Sequence, residues 1–295
     1  MSPTAGFMAL VLAATSISLG VIAVKHGYAE GADAESVLAA RLLVAAPLVV
    51  LALPFLLSGP GRVSLGALAA AVASGALIWL SVRAELEGLA RLPAGALALV
   101  LATAPVFVTL LDWITVGRVP SRFDCGAMLA IVAGVAVMAA PVGSAVSLLG
   151  VLAGLVSAMG FAGFLFLVGR NPRVAAAQAF PLGMIGAGLI VVITDPTAVT
   201  GLGAGLPAWL VLSLGASGAG WALLLGVGLA ATNAVTAALV VAVEPVLVTV
   251  LAYLILAEGL AARQIAGGVI VVAALAAVAA RLRAEAPPAG ELSVD

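Results

Sequence analysis

Two ten-residue segments repeat one pattern and differ at the position that carries an acid. ATAPVFVTLL (Ala102–Leu111) and AVEPVLVTVL (Ala242–Leu251) lie 140 residues apart and share six residues. Each contains a proline, Pro105 or Pro245, whose ring removes one backbone N–H and crowds the carbonyl four residues earlier. In an apolar helix this predicts a kink. The paired kinks either line a cavity and flex, or only shape the packing.

Glu244 stands in the second segment where the first has Ala104. A charged group deep in an apolar helix costs about 2.5–3.5 kcal/mol to insert and rarely faces lipid. Burial favours the neutral form, which suits a proton carrier or a partner for a substrate ammonium group. The alternative is a structural acid that fixes the kink and helps gating.

Other charged residues in apolar stretches have structural interpretations beside functional ones. Arg41 could snorkel outward, pair with an acid, or bind a substrate carboxylate. Arg83 and Glu87 are four residues apart on one helix and are expected to pair. The same is expected of Asp112 with Arg118.

Two tryptophans, Trp79 and Trp221, fall near the middle of apolar stretches, whereas membrane tryptophans prefer the interfaces. Aromatic side chains at that depth could stack on an apolar or aromatic substrate, although core packing is the simpler role for each alone. A mostly apolar cavity with few polar groups is the usual form of a small-ligand site. The candidate lining residues are Trp79, Trp221, Phe161, Phe164, Ser16, Ser18, Ser157, Asn233 and Thr236.

These residues lie in a chain that is 64% hydrophobic and 8% charged over 295 residues, with a mean hydropathy of +1.32. A soluble domain is about a quarter charged, so this chain could not cover a water-facing surface. Apolar runs of about 20 residues recur, each long enough to cross a bilayer, and they do not alternate as barrel strands do. The composition predicts an all-α polytopic membrane protein.

Charges, prolines and glycines divide the chain into ten predicted transmembrane helices. The helices are expected at 6–26, 36–58, 67–90, 94–116, 123–140, 147–169, 174–194, 207–229, 233–256 and 262–282. The remaining residues, 283–295, are expected to form a disordered cytoplasmic tail.

The distribution of Lys and Arg predicts the orientation. With both termini inside, the inner side holds seven of these residues and the outer side four. The inner residues are Arg62, Arg118, Arg122, Arg170, Arg173, Arg281 and Arg283; the outer ones are Lys25, Arg83, Arg91 and Arg263. The chain is therefore predicted to have an N-in, C-in topology.

The 140-residue offset extends beyond the two opening segments. GLA occurs at Gly88–Ala90 and Gly228–Ala230, and VLA at Val11–Ala13 and Val151–Ala153. Residues 1–142 and 143–282 each hold five predicted helices, and an odd number turns the second half upside down in the membrane. Inverted repeats of this kind build secondary transporters with a site near the midplane.

With these features the chain resembles the drug/metabolite transporter superfamily, of the ten-helix EamA type, over residues 5–282. The resemblance is carried by the two five-helix repeats and by AVEPVLVTVLAYLILAEGLAARQIAGGVIVVAA (Ala242–Ala274). The positions that match the family's typical residues are Arg41, Pro105, Pro245, Glu258 and Gly267. The first repeat departs from the pattern, with Arg118 at the position equivalent to Glu258.

Within that superfamily the chain is most similar to bacterial aromatic amino acid exporters. The similarity implies an inner-membrane secondary transporter that exports small amphipathic metabolites, aromatic and other amino acids, by alternating access. A multidrug or other metabolite exporter of the same fold is the alternative. The expected partners are a small amino acid-like substrate and the lipid bilayer, without nucleic acid or cofactor, and the expected oligomeric state is a monomer.

Rival classes have weaker support in the sequence. GASG at Gly215–Gly218 resembles the surroundings of an intramembrane serine nucleophile, but the one histidine, His26, is expected far from Ser217. A channel would need a charged ring or carbonyl filter, which is not visible. The chain has no Walker motif, and one cysteine, Cys125, allows no internal disulfide. The protein is therefore not expected to be an enzyme or to bind a metal.

Overall fold

The computed structural model describes residues 3–57, 65–117, 119–139, 147–170, 176–202, 205–231 and 234–285. Over these residues the secondary structure is helical, and none of them lies in a strand. The helices are α1 (Pro3–Ala29), α2 (Ala34–Leu57), α3 (Leu65–Ala73), α4 (Gly75–Leu89), α5 (Ala94–Leu101), α6 (Ala104–Val116), α7 (Arg122–Ala139), α8 (Leu148–Gly169), α9 (Ala176–Thr194), α10 (Thr197–Thr200), α11 (Ala208–Ala231), α12 (Ala234–Leu256) and α13 (Ala262–Glu285).

Each predicted span coincides with one of these helices or with a consecutive pair. The third span is divided at Ser74 into α3 and α4, and α13 continues to Glu285, past the expected start of the tail. Residues 286–295 lie outside the described residues. Six stretches are long and apolar enough to cross a membrane: Thr4–Ala29, Ala34–Pro54, Leu68–Leu89, Ala94–Val116, Leu148–Val168 and Ala208–Ala231. The number of ten membrane spans stays a prediction.

The expected kink at Pro105 is a break between two helices. α5 ends at Leu101, whose carbonyl cannot accept from the proline four residues later, and α6 begins at Ala104. The turn between them is closed by the Thr103 amide, which donates to Val100 O at 3.0 Å. Pro245 instead lies inside the continuous helix α12. The two prolines therefore have different local structures.

Small residues let antiparallel helices cross closely. A Cβ on Gly160 of α8 would lie 3.1 Å from Leu77 O of α4, and one on Gly88 of α4 would lie 3.4 Å from Gly150 O of α8. The first contact joins the start of α4 to the second half of α8, and the second joins the opposite ends. α4 and α8 therefore run antiparallel.

The contacts between α1 and α11 are the same contacts shifted by 140 residues. Gly20 packs on Ser217, as Gly160 packs on Leu77, and Gly228 packs on Leu10, as Gly88 packs on Gly150. The carbonyls of Pro105 and Pro245 accept the hydroxyls of Thr109 and Thr249 at 2.9 and 2.7 Å. Residues at equivalent sequence positions thus make equivalent contacts.

Helices α1 and α8, which the offset makes equivalent, run in opposite directions. Near the end of α1, Lys25 Nζ donates to Leu92 O at 2.7 Å. Near the start of α8, a Cβ on Gly150 would lie 2.7 Å from the Leu92 side chain. The end of one helix and the start of the other therefore meet the same residue.

Charged residues form two groups at opposite ends of the bundle. One end holds Arg83 with Glu35 and Glu87, and Lys25 with Glu258. The other holds Arg281 with Asp124 and Arg170 with Asp112. The expected Arg83–Glu87 pair is confirmed at 2.6 Å. Asp112 contacts Arg170, and its expected partner Arg118 lies outside the described residues.

Candidate functional site

A cavity of about 320 Å³ lies among helices from both halves of the chain. Most of its lining is aliphatic, contributed mainly by α1, α4 and α5. Its charged lining residues are Arg41, Glu85 and Glu244, and its aromatic ones are Phe161 and Trp221. The cavity therefore combines a small charged group with an apolar body.

Arg41 of α2 and Glu85 of α4 form a buried ion pair. Arg41 Nη1 lies 3.0 Å from Glu85 Oε1, and the side chains are 3% and 10% exposed. Arg41 does not snorkel outward, which corrects one of the sequence alternatives. Its Nε–H is buried and has no hydrogen-bond acceptor among the described residues. An arginine held by one acid and still short of an acceptor can bind a second anionic group.

Glu85 was not singled out from the sequence, although helix geometry explains its position. Arg83 and Glu87 are four residues apart and share one face of α4, whereas Glu85 lies between them in sequence and points away from that face. The face opposite an exposed ion pair is the one that packs into the bundle. This periodicity was the available signal for Glu85.

Glu244 lines the cavity from α12, and Arg41 and Glu85 line the same cavity from α2 and α4. No hydrogen bond or ion pair joins its carboxylate to a described residue. The site therefore contains two acids and one base, and Arg41 is paired with Glu85. Glu244 is left to accept a proton or a cationic group.

A serine pair lies between the charged residues and the aromatic ones. Ser81 Oγ of α4 and Ser157 Oγ of α8 are 3.2 Å apart. Glu85 is one turn beyond Ser81, and Phe161 is one turn beyond Ser157 in the opposite direction, because the two helices are antiparallel. The eight residues between these levels correspond to about 12 Å along the axes.

Phe161 belongs to an aromatic cluster that forms one wall of the cavity. Its ring centroid is 5.7 Å from that of Trp221, and Phe180 lies 5.8 Å from Trp221 and 5.0 Å from Phe164. These separations are those of favourable aromatic pairs. Phe164 and Phe180 are fully buried behind the lining and support it.

The structure brings only part of the predicted site to the cavity. Trp221, Phe161, Ser157, Pro105 and Glu244 line it. Trp79, Phe164, Ser16, Ser18 and Pro245 are not among its lining residues. Ser18 donates to Ala14 O within α1, and Ser16 donates to Ser217 O across the α1–α11 crossing. The side chains of Asn233 and Thr236 lie outside the described residues.

Among the residues that the structure describes, Ser217 has no contact with a general base. Its hydroxyl donates to Leu214 O at 2.8 Å within its own helix. The ring centroid of His26 is 5.5 Å from that of Trp209, and His26 Nε2 is 3.8 Å from Glu30 Oε1. His26 and Ser217 both border a groove between α1 and α11. They lie at different heights along α1, because Ser217 packs on Gly20. Within the described residues, no three of His, Cys, Asp and Glu are grouped to hold a metal ion.

Glu258 joins three segments at one end of the bundle. Its Oε1 is 3.0 Å from Lys25 Nζ at the end of α1, and its Oε2 accepts the Ala94 amide at 2.7 Å. Pro93 precedes α5 and has no side-chain acceptor, so an acid 164 residues away caps this helix. A carboxylate is favourable at a helix N-terminus. Glu258 therefore holds the α12–α13 connection against α1 and α5.

Comparison with known proteins gives a family match for the first half of the chain and a shared fold. Residues 4–140 match the model of the EamA-like transporter family. A protein of known crystal structure shares the fold with a TM-score of 0.59 and 18% sequence identity, over 95% of this chain and 98% of that one. No curated protein sequence matches the chain. The family match covers slightly less than half of the chain, and this part is similar to members of that transporter family.

Proposed function

We propose that this chain, whose residues 4–140 match the EamA-like transporter family, is a secondary transporter that exports small amphipathic metabolites, with aromatic and other amino acids as leading substrates. The observation that carries the proposal is the central cavity of about 320 Å³, with Trp221 and Phe161 on its apolar wall. A cavity of this size and character suits a small ligand with one charged end. The location proposed is a bacterial inner membrane, with both termini inside.

Alternating access is proposed from the repeats. Residues 1–142 and 143–282 are taken as two inverted five-helix units. The equivalent contacts at Gly20–Ser217 and Gly160–Leu77, together with the opposite directions of α1 and α8, support this symmetry. In such transporters one half moves against the other around a central site. Pro105 lines the cavity, and Pro245 lies inside α12, which also contributes to the lining. Both prolines are proposed to permit the motion.

The test is counterflow in proteoliposomes loaded with unlabelled amino acid. We expect saturable uptake of labelled tryptophan or phenylalanine, and expect Trp221→Ala to weaken it. Trp209→Ala is the matched control, because Trp209 is 55% exposed and lies outside the cavity. Flux that does not saturate would indicate a channel. If no amino acid is transported but other amphipathic compounds are, those compounds would replace amino acids as the proposed substrates.

A further inference from the structure

Within the described part of the chain, two charged residues of the cavity lack hydrogen-bond partners that a ligand could supply. Glu85 engages Nη1 of Arg41, and the buried Nε–H of the same guanidinium has no acceptor among the described residues. The edge of an arginine formed by Nε and Nη2 suits a carboxylate, which accepts from both nitrogens. Arg41 is 2% exposed and lines the cavity, so a ligand in the cavity is in a position to supply an acceptor.

In the same part of the chain, Glu244 lacks a hydrogen-bond donor, whereas Arg41 lacks an acceptor. Glu244 lines the same cavity, and its carboxylate receives no hydrogen bond from a described residue. Glu244 is only partly buried, so an unpaired carboxylate there can be reached by a ligand in the cavity. An ammonium group supplies the missing donors.

We propose that Arg41 and Glu244 together bind the α-carboxylate and α-ammonium groups of a zwitterionic amino acid, whose side chain packs on Phe161 and Trp221. The inference rests on the proposed function and assigns the charged end of its site. Glu85 is a positioning residue, since it fixes the guanidinium from the side opposite the substrate. The level of Glu85 lies about 12 Å from that of Phe161, which separates the charged end from the aromatic wall.

Other ligand charges fit the site less well. A carboxylic acid without an amine would add a negative charge to a site that already holds two acids and one arginine. An amine without a carboxylate would satisfy Glu244 and leave the Nε–H of Arg41 without an acceptor. Only a ligand with both groups supplies an acceptor to Arg41 and a donor to Glu244.

The experiment compares three indole compounds on the unmodified protein. Tryptophan carries both groups, tryptamine lacks the carboxylate, and indole-3-propionate lacks the ammonium. We expect tryptophan to inhibit labelled tryptophan counterflow about tenfold to a hundredfold more strongly than either analogue, the range for leaving one buried group unpaired. Direct binding in detergent is measured in parallel by the ligand-dependent shift of the unfolding temperature.

The variants assign each group to its residue. Glu244→Gln is expected to reduce the preference for tryptophan over indole-3-propionate, and Arg41→Lys the preference for tryptophan over tryptamine. Glu87→Gln is the control, because Glu87 lies outside the cavity. Equal inhibition by all three compounds on the unmodified protein would overturn the inference and leave the proposed function standing. Failure of all three to bind, with no amino acid counterflow, would overturn the proposed function itself.

Discussion

Glu85 owes its role to the direction in which it points. Arg83, Glu85 and Glu87 occupy one short stretch of α4, and only the middle residue enters the bundle to meet Arg41. Arg83 and Glu87 form the pair that their spacing predicts. The Arg41–Glu85 pair could not be predicted by spacing, because it joins two helices across 44 residues.

Removing the acid from this buried pair is expected to destabilise the protein strongly. Glu85→Gln removes the ion-pair partner of Arg41, which is 2% exposed, and losing one partner of a buried pair costs about 3–5 kcal/mol. Glu87→Gln, at a partly exposed pair, is expected to cost about 0–1 kcal/mol. Thermal unfolding of the two purified variants in one detergent provides the comparison. Equal losses of stability would show that the buried Arg41–Glu85 pair contributes no more to stability than the exposed pair of Glu87.

The elements differ in how far the sequence determines them. Long apolar runs between polar residues predicted the helices well, since a membrane span has a required length. The outcome at the two prolines was less predictable. Pro105 separates α5 from α6, whereas Pro245 lies within α12, although the surrounding residues are nearly the same. Proline removes a donor in both, and the packing of each helix decides whether the chain breaks there.

The cap on α5 offers a local test of how the elements are joined. Glu258→Ala removes the acceptor of the Ala94 amide and the partner of Lys25. We expect faster hydrogen–deuterium exchange at the first turn of α5 and at the end of α1. Glu30→Ala removes an exposed partner of His26 and is expected to leave exchange at the first turn of α5 unchanged. Unchanged exchange in Glu258→Ala would mean that α5 is held by its other contacts.

On the scale of the whole molecule, the 140-residue offset was more informative than any single motif. It equates Gly20 with Gly160 and Gly88 with Gly228, and these glycines lie at corresponding helix crossings. The site was less predictable, because a cavity depends on which side chains leave space between helices. Trp79 and Trp221 were equivalent in the sequence, yet only Trp221 lines the cavity.

The orientation of the whole chain can be tested through its single thiol. Cys125 is exposed in the first turn of α7, beside the Asp124–Arg281 pair. If both termini are inside, a membrane-impermeant maleimide should label Cys125 only after the membrane is permeabilised. Glu30→Cys combined with Cys125→Ala should be labelled in intact cells. The reverse labelling pattern would contradict the proposed topology and place both termini outside.

The position of that thiol has a further practical consequence. Because the sequence has no other cysteine, the unmodified protein accepts one spin label or fluorophore at a defined place. Cys125 lies where α7 meets α13, the last helix of each proposed repeat, and Arg281 of α13 donates to Ser121 Oγ at 2.7 Å just before α7 begins. A probe at Cys125 would therefore report by its mobility whether these two helices separate during a transport cycle, without a cysteine-free background.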